Sequence, residues 1–126
     1  PKHPDWRAPE GIAYDAKRGK LVVTDDVSGV VFIVDFGKSV QPLAKFSNPE
    51  DIVVAPDGRI FVTDNGWGAV FSISRDGKTE KLVQFRRSYR DLQGVTVDDR
   101  GFLYVVTADG FGSVSFMPSF LFSLSF

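Results

Sequence analysis

Cysteine is absent from the 126 residues. That excludes disulfides, thiolate nucleophiles and cysteine-bound zinc together. Histidine occurs once, at His3, in a proline-rich lead-in, so neither a Ser-His-Asp relay nor a histidine metal cluster is expected. An excess of one charge is lacking too. Lys+Arg is 15 and Asp+Glu is 16, for a net charge of −1. Such a chain has no global field to draw in nucleic acid or an anionic membrane, and neither is expected as a partner. No window carries apolar residues at spacings of three and four over a helical length, so no amphipathic helix is read. The chain opens on Pro1, with no basic stretch running into an apolar core, so no signal peptide is visible. None of this fixes a compartment.

What the sequence does contain is short apolar runs divided by turn residues. Within Asn48–Phe85, Asp51–Ala55 is broken by Pro56-Asp57-Gly58, and Arg59–Thr63 by Asp64-Asn65-Gly66. Ala69–Ser74 is then broken by Asp76-Gly77, and Lys81–Phe85 follows. Val, Ile, Phe and Thr suit a pleated surface, and Asp-Gly and Asn-Gly suit tight reversals. The stretch predicts a four-stranded up-and-down sheet.

That unit recurs. Pro9-Glu10-Gly11-Ile12 matches Pro49-Glu50-Asp51-Ile52. Leu21–Asp26 matches Ile60–Asn65, and Leu43–Phe46 matches Leu82–Phe85. A third copy opens at Leu92-Gln93-Gly94-Val95 and runs through Gly101–Val106. A period of about 40 residues fits one propeller blade. The predicted organisation is a lead-in over 1–8, a first blade over 9–47, a second over 48–85 and a third over 86–126. The repeat pattern is lost after about residue 114. From Val114 to Phe126 the chain is uncharged and rich in Phe, Ser, Leu and Pro. It is too short and too rich in serine for a membrane span. Two readings stand for it. One is a divergent fourth strand, since Phe120, Phe122, Leu124 and Phe126 alternate. The other is a cut-short gene model, in which pyrimidine-rich sequence has been translated and further blades follow Gly110 or Gly112 in the transcript.

The pattern Pro-x-Gly-Ile-Ala-x-Asp followed by Gly-x-Leu-Val-Val-Thr-Asp resembles the blades of NHL-repeat proteins. It is also similar to the related SMP-30/gluconolactonase-like propellers. The resemblance runs from Ala8 to about Val114. It implies an all-β fold, a β-propeller fragment of three four-stranded antiparallel blades with the third incomplete or divergent, and a ring that closes at six. Three blades leave two apolar end faces bare, so the expected partners include further blades of the same chain or a second copy closing the ring.

In such a blade the start of the first strand and the end of the second share a rim. Glu10, Glu50, Asn65 and Asp109 fall there, as do Asp25 and Asp64. Oxygen donors of this kind suit calcium or another hard divalent cation. Asp25 and Asp64 also fit turn chemistry, since Asp after a strand bonds its own backbone. In SMP-30-like lactonases a Glu beside a Gly at this point binds the metal, and Glu10-Gly11 resembles it. Where those proteins then carry Pro-Asn-Gly, this chain has Pro49-Glu50-Asp51 and Leu92-Gln93-Gly94.

Two further features are candidate ligand contacts. Trp67 lies at a turn occupied elsewhere by Ser28 and Phe111. Arg86, Arg87, Tyr89 and Arg90 form an insertion between the second and third copies, suited to an anionic or sugar-like ligand. The expected function is a binding module presenting an acidic channel rim and a basic inter-blade loop to a protein or small-molecule ligand. The alternative is part of a divalent-metal-dependent hydrolase or lactonase.

Overall fold

The structure is a computed structural model and describes residues 3–85, 91–107 and 114–118. The strands are β1 (Pro9–Asp15), β2 (Lys20–Asp25), β3 (Val30–Asp35), β4 (Ser39–Lys45), β5 (Pro49–Val54), β6 (Ile60–Asp64), β7 (Ala69–Ile73), β8 (Thr79–Gln84), β9 (Leu92–Val97), β10 (Phe102–Thr107) and β11 (Val114–Pro118). They form three sheets in the orders β1-β2-β3-β4, β5-β6-β7-β8 and β9-β10-β11. Every pairing is antiparallel and joins neighbours in sequence. The third blade has three strands among the described residues.

First strands meet first strands. β1 packs on β5 and β5 on β9, more extensively than any outer strands of neighbouring blades meet. The first strand of each blade is therefore innermost and the blades fan outwards from it. Alternation then divides each blade's side chains between two neighbours. Val22, Val31 and Phe46 of blade 1 pack against Ile52, Ile60, Val62 and Ile73 of blade 2. Phe61, Val70 and Leu82, on the opposite face of blade 2, pack against Leu92, Val95, Leu103 and Val105 of blade 3. The core thus lies between the sheets, and each blade depends on its neighbours.

Backbone polar groups at these junctions are satisfied by repeated residues. Both β1 and β5 shift register near their start, between Pro9 and Ile12 and between Pro49 and Ile52. At the first shift the hydroxyl of Thr24 accepts from Gly11 N at 2.8 Å and donates to Glu50 O at 2.8 Å. One buried hydroxyl thereby ties blade 1 to blade 2. A side chain on Gly11 would bring its Cβ within 2.7 Å of that same Glu50 carbonyl, so the inner strands approach this closely only with glycine there. Gly29 is constrained in a second way, with φ at +76° and the Phe46 carbonyl against the place where a Cβ would sit. Thr24→Val keeps the shape but leaves one N–H and one C=O unpaired. We expect it to lower stability by about 2 kcal/mol, read from the denaturant midpoint, with Thr24→Ser recovering most of the loss.

Candidate functional site

The register of β1 with β2 places Pro9 opposite Asp25, and that of β5 with β6 places Pro49 opposite Asp64. Strand-one starts and strand-two ends do share one rim. The acidic residues gathered there divide into two groups with different tasks.

Asp25 and Asp64 are fully buried and hold backbone. Asp25 Oδ2 accepts from Arg7 N at 2.7 Å and Ala8 N at 2.8 Å, and its Oδ1 accepts from Ser28 N at 2.9 Å. Asp64 repeats this one blade later, accepting from Ser47 N, Asn48 N and Gly66 N at 2.9, 2.9 and 2.8 Å. Each carboxylate clamps the segment entering its blade to the turn after its second strand. For Asp25, burial opposes the charge, and the N–H groups of Ser28, Arg7 and Ala8 outweigh it, holding the carboxyl below its ordinary value. Turn chemistry, rather than ligand binding, accounts for these two residues.

Glu10, Asp26, Glu50 and Asp91 stand beside them with few partners. Glu50 is half-buried on β5, and its Oε1 accepts from Asn65 Nδ2 at 2.9 Å. Burial pushes the Glu50 carboxyl above its ordinary value. The Asn65 amide offsets part of this, while the charges of Glu10, Asp26 and Asp91 push it up further. Asp26 Oδ1 is buried with no hydrogen-bond partner. Three of the four proposed metal ligands, Glu10, Glu50 and Asn65, therefore lie in one neighbourhood. Asn65 is committed structurally, because its Oδ1 also accepts from Leu92 N of blade 3 at 2.6 Å. Among the described residues, no three His, Cys, Asp or Glu side chains are arranged to hold a metal ion. The fourth candidate, Asp109, lies outside the described residues, and so do Arg86, Arg87, Tyr89 and Arg90.

Trp67 is 57% exposed. It edges a shallow groove of about 310 Å³ that it shares with Lys45, Phe46, Phe71, Thr79 and Lys81. The Phe46 and Phe71 rings meet there at 5.1 Å between centroids, tilted by 60°. None of the rim carboxylates lines this groove, so it is a separate surface feature.

Sequence reasoning missed Asn48, and it placed Asp51 on the rim without its bond to the next blade. Asn48 Nδ2 donates to Asp26 O at 3.1 Å, tying blade 2 back to blade 1. Asp51 Oδ2 accepts from Val95 N at 2.9 Å, tying blade 2 forward to blade 3. A usable signal existed for the second. Asp51 stands where Gly11 and Gly94 stand in the other copies, and a lone carboxylate among glycines asks for a partner.

The pattern of the NHL repeat matches residues 46–70, from the last aromatic of blade 1 to the start of β7. A comparison with curated proteins finds no match. Solved structures do match. A chain of a nidogen–laminin complex is similar at 20% identity and a TM-score of 0.80, over 93% of this chain and 46% of that one. A gluconolactonase from Xanthomonas campestris is similar at 18% identity and a TM-score of 0.76, over 90% and 46%. A virginiamycin B lyase from Staphylococcus aureus is similar at 15% identity and a TM-score of 0.74, over 91% and 42%. The fold is that of consecutive β-propeller blades, with an NHL repeat in the second and likenesses among NHL-type and gluconolactonase-like propellers. The chain spans less than half the length of these structures.

Proposed function

We propose that these blades form a binding module whose acidic rim receives a positively charged group of a protein or small-molecule ligand. The observation that carries this is the half-burial of Glu50 in one acidic group with Glu10, Asp91 and the buried, unpartnered carboxylate oxygen of Asp26. Grouping like charges costs stability, and a cation from outside would relieve it. The basic stretch Arg86, Arg87, Tyr89 and Arg90, which suits an anionic group, and the aromatic Trp67 would contact other parts of a protein ligand. Protein recognition by a similar fold, in the nidogen–laminin complex, is consistent with this reading.

The test is calorimetric titration with a lysine- and arginine-rich peptide, at low and high salt. Wild type is expected to bind, with affinity falling as salt rises. Glu50→Gln keeps the acceptor for Asn65 and removes the charge, and should weaken binding severalfold. Equal affinity in the two proteins, or none in either, would overturn the reading.

The same substitution tests the electrostatics without a ligand. A raised folded pKa means that the folded chain holds the proton more tightly than the unfolded chain. Stability from this group is therefore present below the ordinary glutamate value and lost as pH rises through the folded pKa. Glu50→Gln is expected to raise Tm at neutral pH, and its advantage over wild type should shrink in acid.

A second reading, a divalent-metal-dependent hydrolase, is favoured by the unpartnered buried oxygen of Asp26. Oxygen donors of Glu10, Asp26 and Glu50 suit calcium chemically, yet the described residues do not complete a site for it. No hydrolytic step is therefore built on them. Calcium-dependent stabilisation that Glu10→Gln abolishes would move the assignment to this reading.

A further inference from the structure

The groove beside Trp67 is built from side chains that a blade does not require. Its walls come from blades 1 and 2, adjacent sheets of four strands each. Strand register identifies the equivalent positions. Phe71 lies opposite Lys81 and Ile73 opposite Thr79, as Phe32 lies opposite Pro42 and Val34 opposite Val40. Trp67 precedes Gly68 and β7, as Ser28 precedes Gly29 and β3. Blade 1 therefore makes the same sheet and the same turn with Ser28, Val40 and Pro42. Nothing in the packing of a blade asks for an indole, a hydroxyl and an ammonium in their places.

The turn that carries Trp67 is fixed, while its side chain is left uncovered. Gly66 N and Trp67 N donate to Asp64 Oδ1 at 2.8 and 3.4 Å, and Gly68 N donates to Asp64 O at 2.8 Å. Gln84 Nε2 donates to Trp67 O at 2.8 Å, and Phe85 N donates to Gly68 O at 2.9 Å. The backbone around the indole is thus held to the ends of β6 and β8, yet Trp67 is 57% exposed. A rigidly presented aromatic loses little entropy when a partner covers it. Charge in the groove has one sign. Phe46 and Phe71 give it an apolar part, and Lys45 and Lys81 a cationic one. Lys81 Nζ donates to the neutral amide oxygen of Gln84 at 3.1 Å. Neither lysine is in an ion pair among the described residues, and no carboxylate is among the described residues lining the groove. Glu80, between Thr79 and Lys81, falls on the other face of β8.

We propose that this groove receives an acidic segment of a protein partner. Its glutamate or aspartate side chains meet Lys45 and Lys81, and an apolar side chain beside them lies on the Trp67 indole. Charge complementarity selects the acidic segment, since two ammonium groups stand there without a carboxylate. The shape of the groove selects a protein. Small-molecule sites are concave and bury most of their ligand. This groove is shallow and lies against the outer strand β8, which suits side chains carried on a partner's own backbone. Tryptophan is also among the residue types on which protein interfaces concentrate their binding energy. The inference rests on the binding-module reading for the partner's being a protein, and adds a contact of opposite charge to the rim. None of the rim carboxylates lines the groove, so the two contacts are tested separately.

The test is fluorescence anisotropy of a short labelled peptide alternating glutamate with leucine, titrated with the 126-residue chain at low salt. Wild type is expected to bind. Trp67→Ser gives the turn the side chain that blade 1 has there, and should weaken binding about tenfold. Lys45→Glu and Lys81→Glu reverse the charge at exposed positions, and each should weaken binding about as much. The strand signal in circular dichroism should be retained in all three. Lys38→Glu changes the net charge equally but lies in the turn between β3 and β4, at the opposite rim. It should leave affinity within about twofold of wild type. A wild type that ignores the peptide, including one that binds free glucuronate instead, would overturn the proposal. Equal losses in Lys38→Glu and Lys81→Glu would overturn it too. Binding of this peptide by a chain that ignores the lysine- and arginine-rich one would support the groove and overturn the rim reading. The opposite pair of results would do the reverse.

Discussion

Asp64→Ala is expected to cost about 3–5 kcal/mol of stability. The carboxylate is completely buried and receives three short backbone hydrogen bonds, from Ser47, Asn48 and Gly66. Truncation leaves those donors without their acceptor. Individual charge-assisted bonds are worth about 1.5–3 kcal/mol and do not add in full. The loss should therefore fall below their sum. Asp64→Asn retains an acceptor oxygen and should lose roughly half as much. Chemical denaturation reads both. A change of under about 0.5 kcal/mol for Asp64→Ala would show that the clamp is dispensable.

Phe61→Ala is expected to cost a similar amount, about 3–5 kcal/mol, for a different reason. The ring is fully buried between blades 2 and 3, among Val70, Leu82, Leu92 and Leu103. Its removal opens a cavity at a junction between sheets, where neither sheet can close the gap without moving as a body. A Tm fall on the order of 10 °C or more is expected in a scanning calorimeter. Phe61→Leu should recover over half of it. The two substitutions lie on opposite sides of β6 and in different kinds of bonding. Their double variant therefore tests whether rim clamp and core junction act independently.

Much of this architecture was legible in the sequence, and the reason is repetition. A single Val-Thr-Asp run is ambiguous. Two of them 39 residues apart, each preceded by Pro-Glu-x-Ile, constrain strand, turn and rim together. The clamps at Asp25 and Asp64 were legible as turn chemistry for the same reason. What could not be read was which acids touch which backbone across a blade junction. Asn48, Asn65 and Asp51 bond to residues of neighbouring blades, and a linear pattern carries no information on how closely two sheets approach. The exposure of Trp67 was undecidable for a related reason, because its packing depends on the outer edge of blade 1, Lys45 and Phe46, and not on its own strand. The third copy was the least legible. Ala108 follows Thr107 where Asp25 follows Thr24 and Asp64 follows Thr63, so the clamping carboxylate is missing from that blade's sequence.

Among the described residues, each sheet is drawn from consecutive strands, each pairing with the next. A consequence follows for biosynthesis. For the described strands, the order in which the ribosome releases them is the order in which they find partners, and none of them waits for a later blade to pair. Blade 1 can complete its hydrogen bonding before blade 2 has emerged. What waits instead is a side-chain surface: Val22 and Val31 stay uncovered until Ile52 and Ile60 arrive. The hazard during synthesis is therefore a greasy face rather than an unpaired strand edge. It passes down the nascent chain one blade at a time.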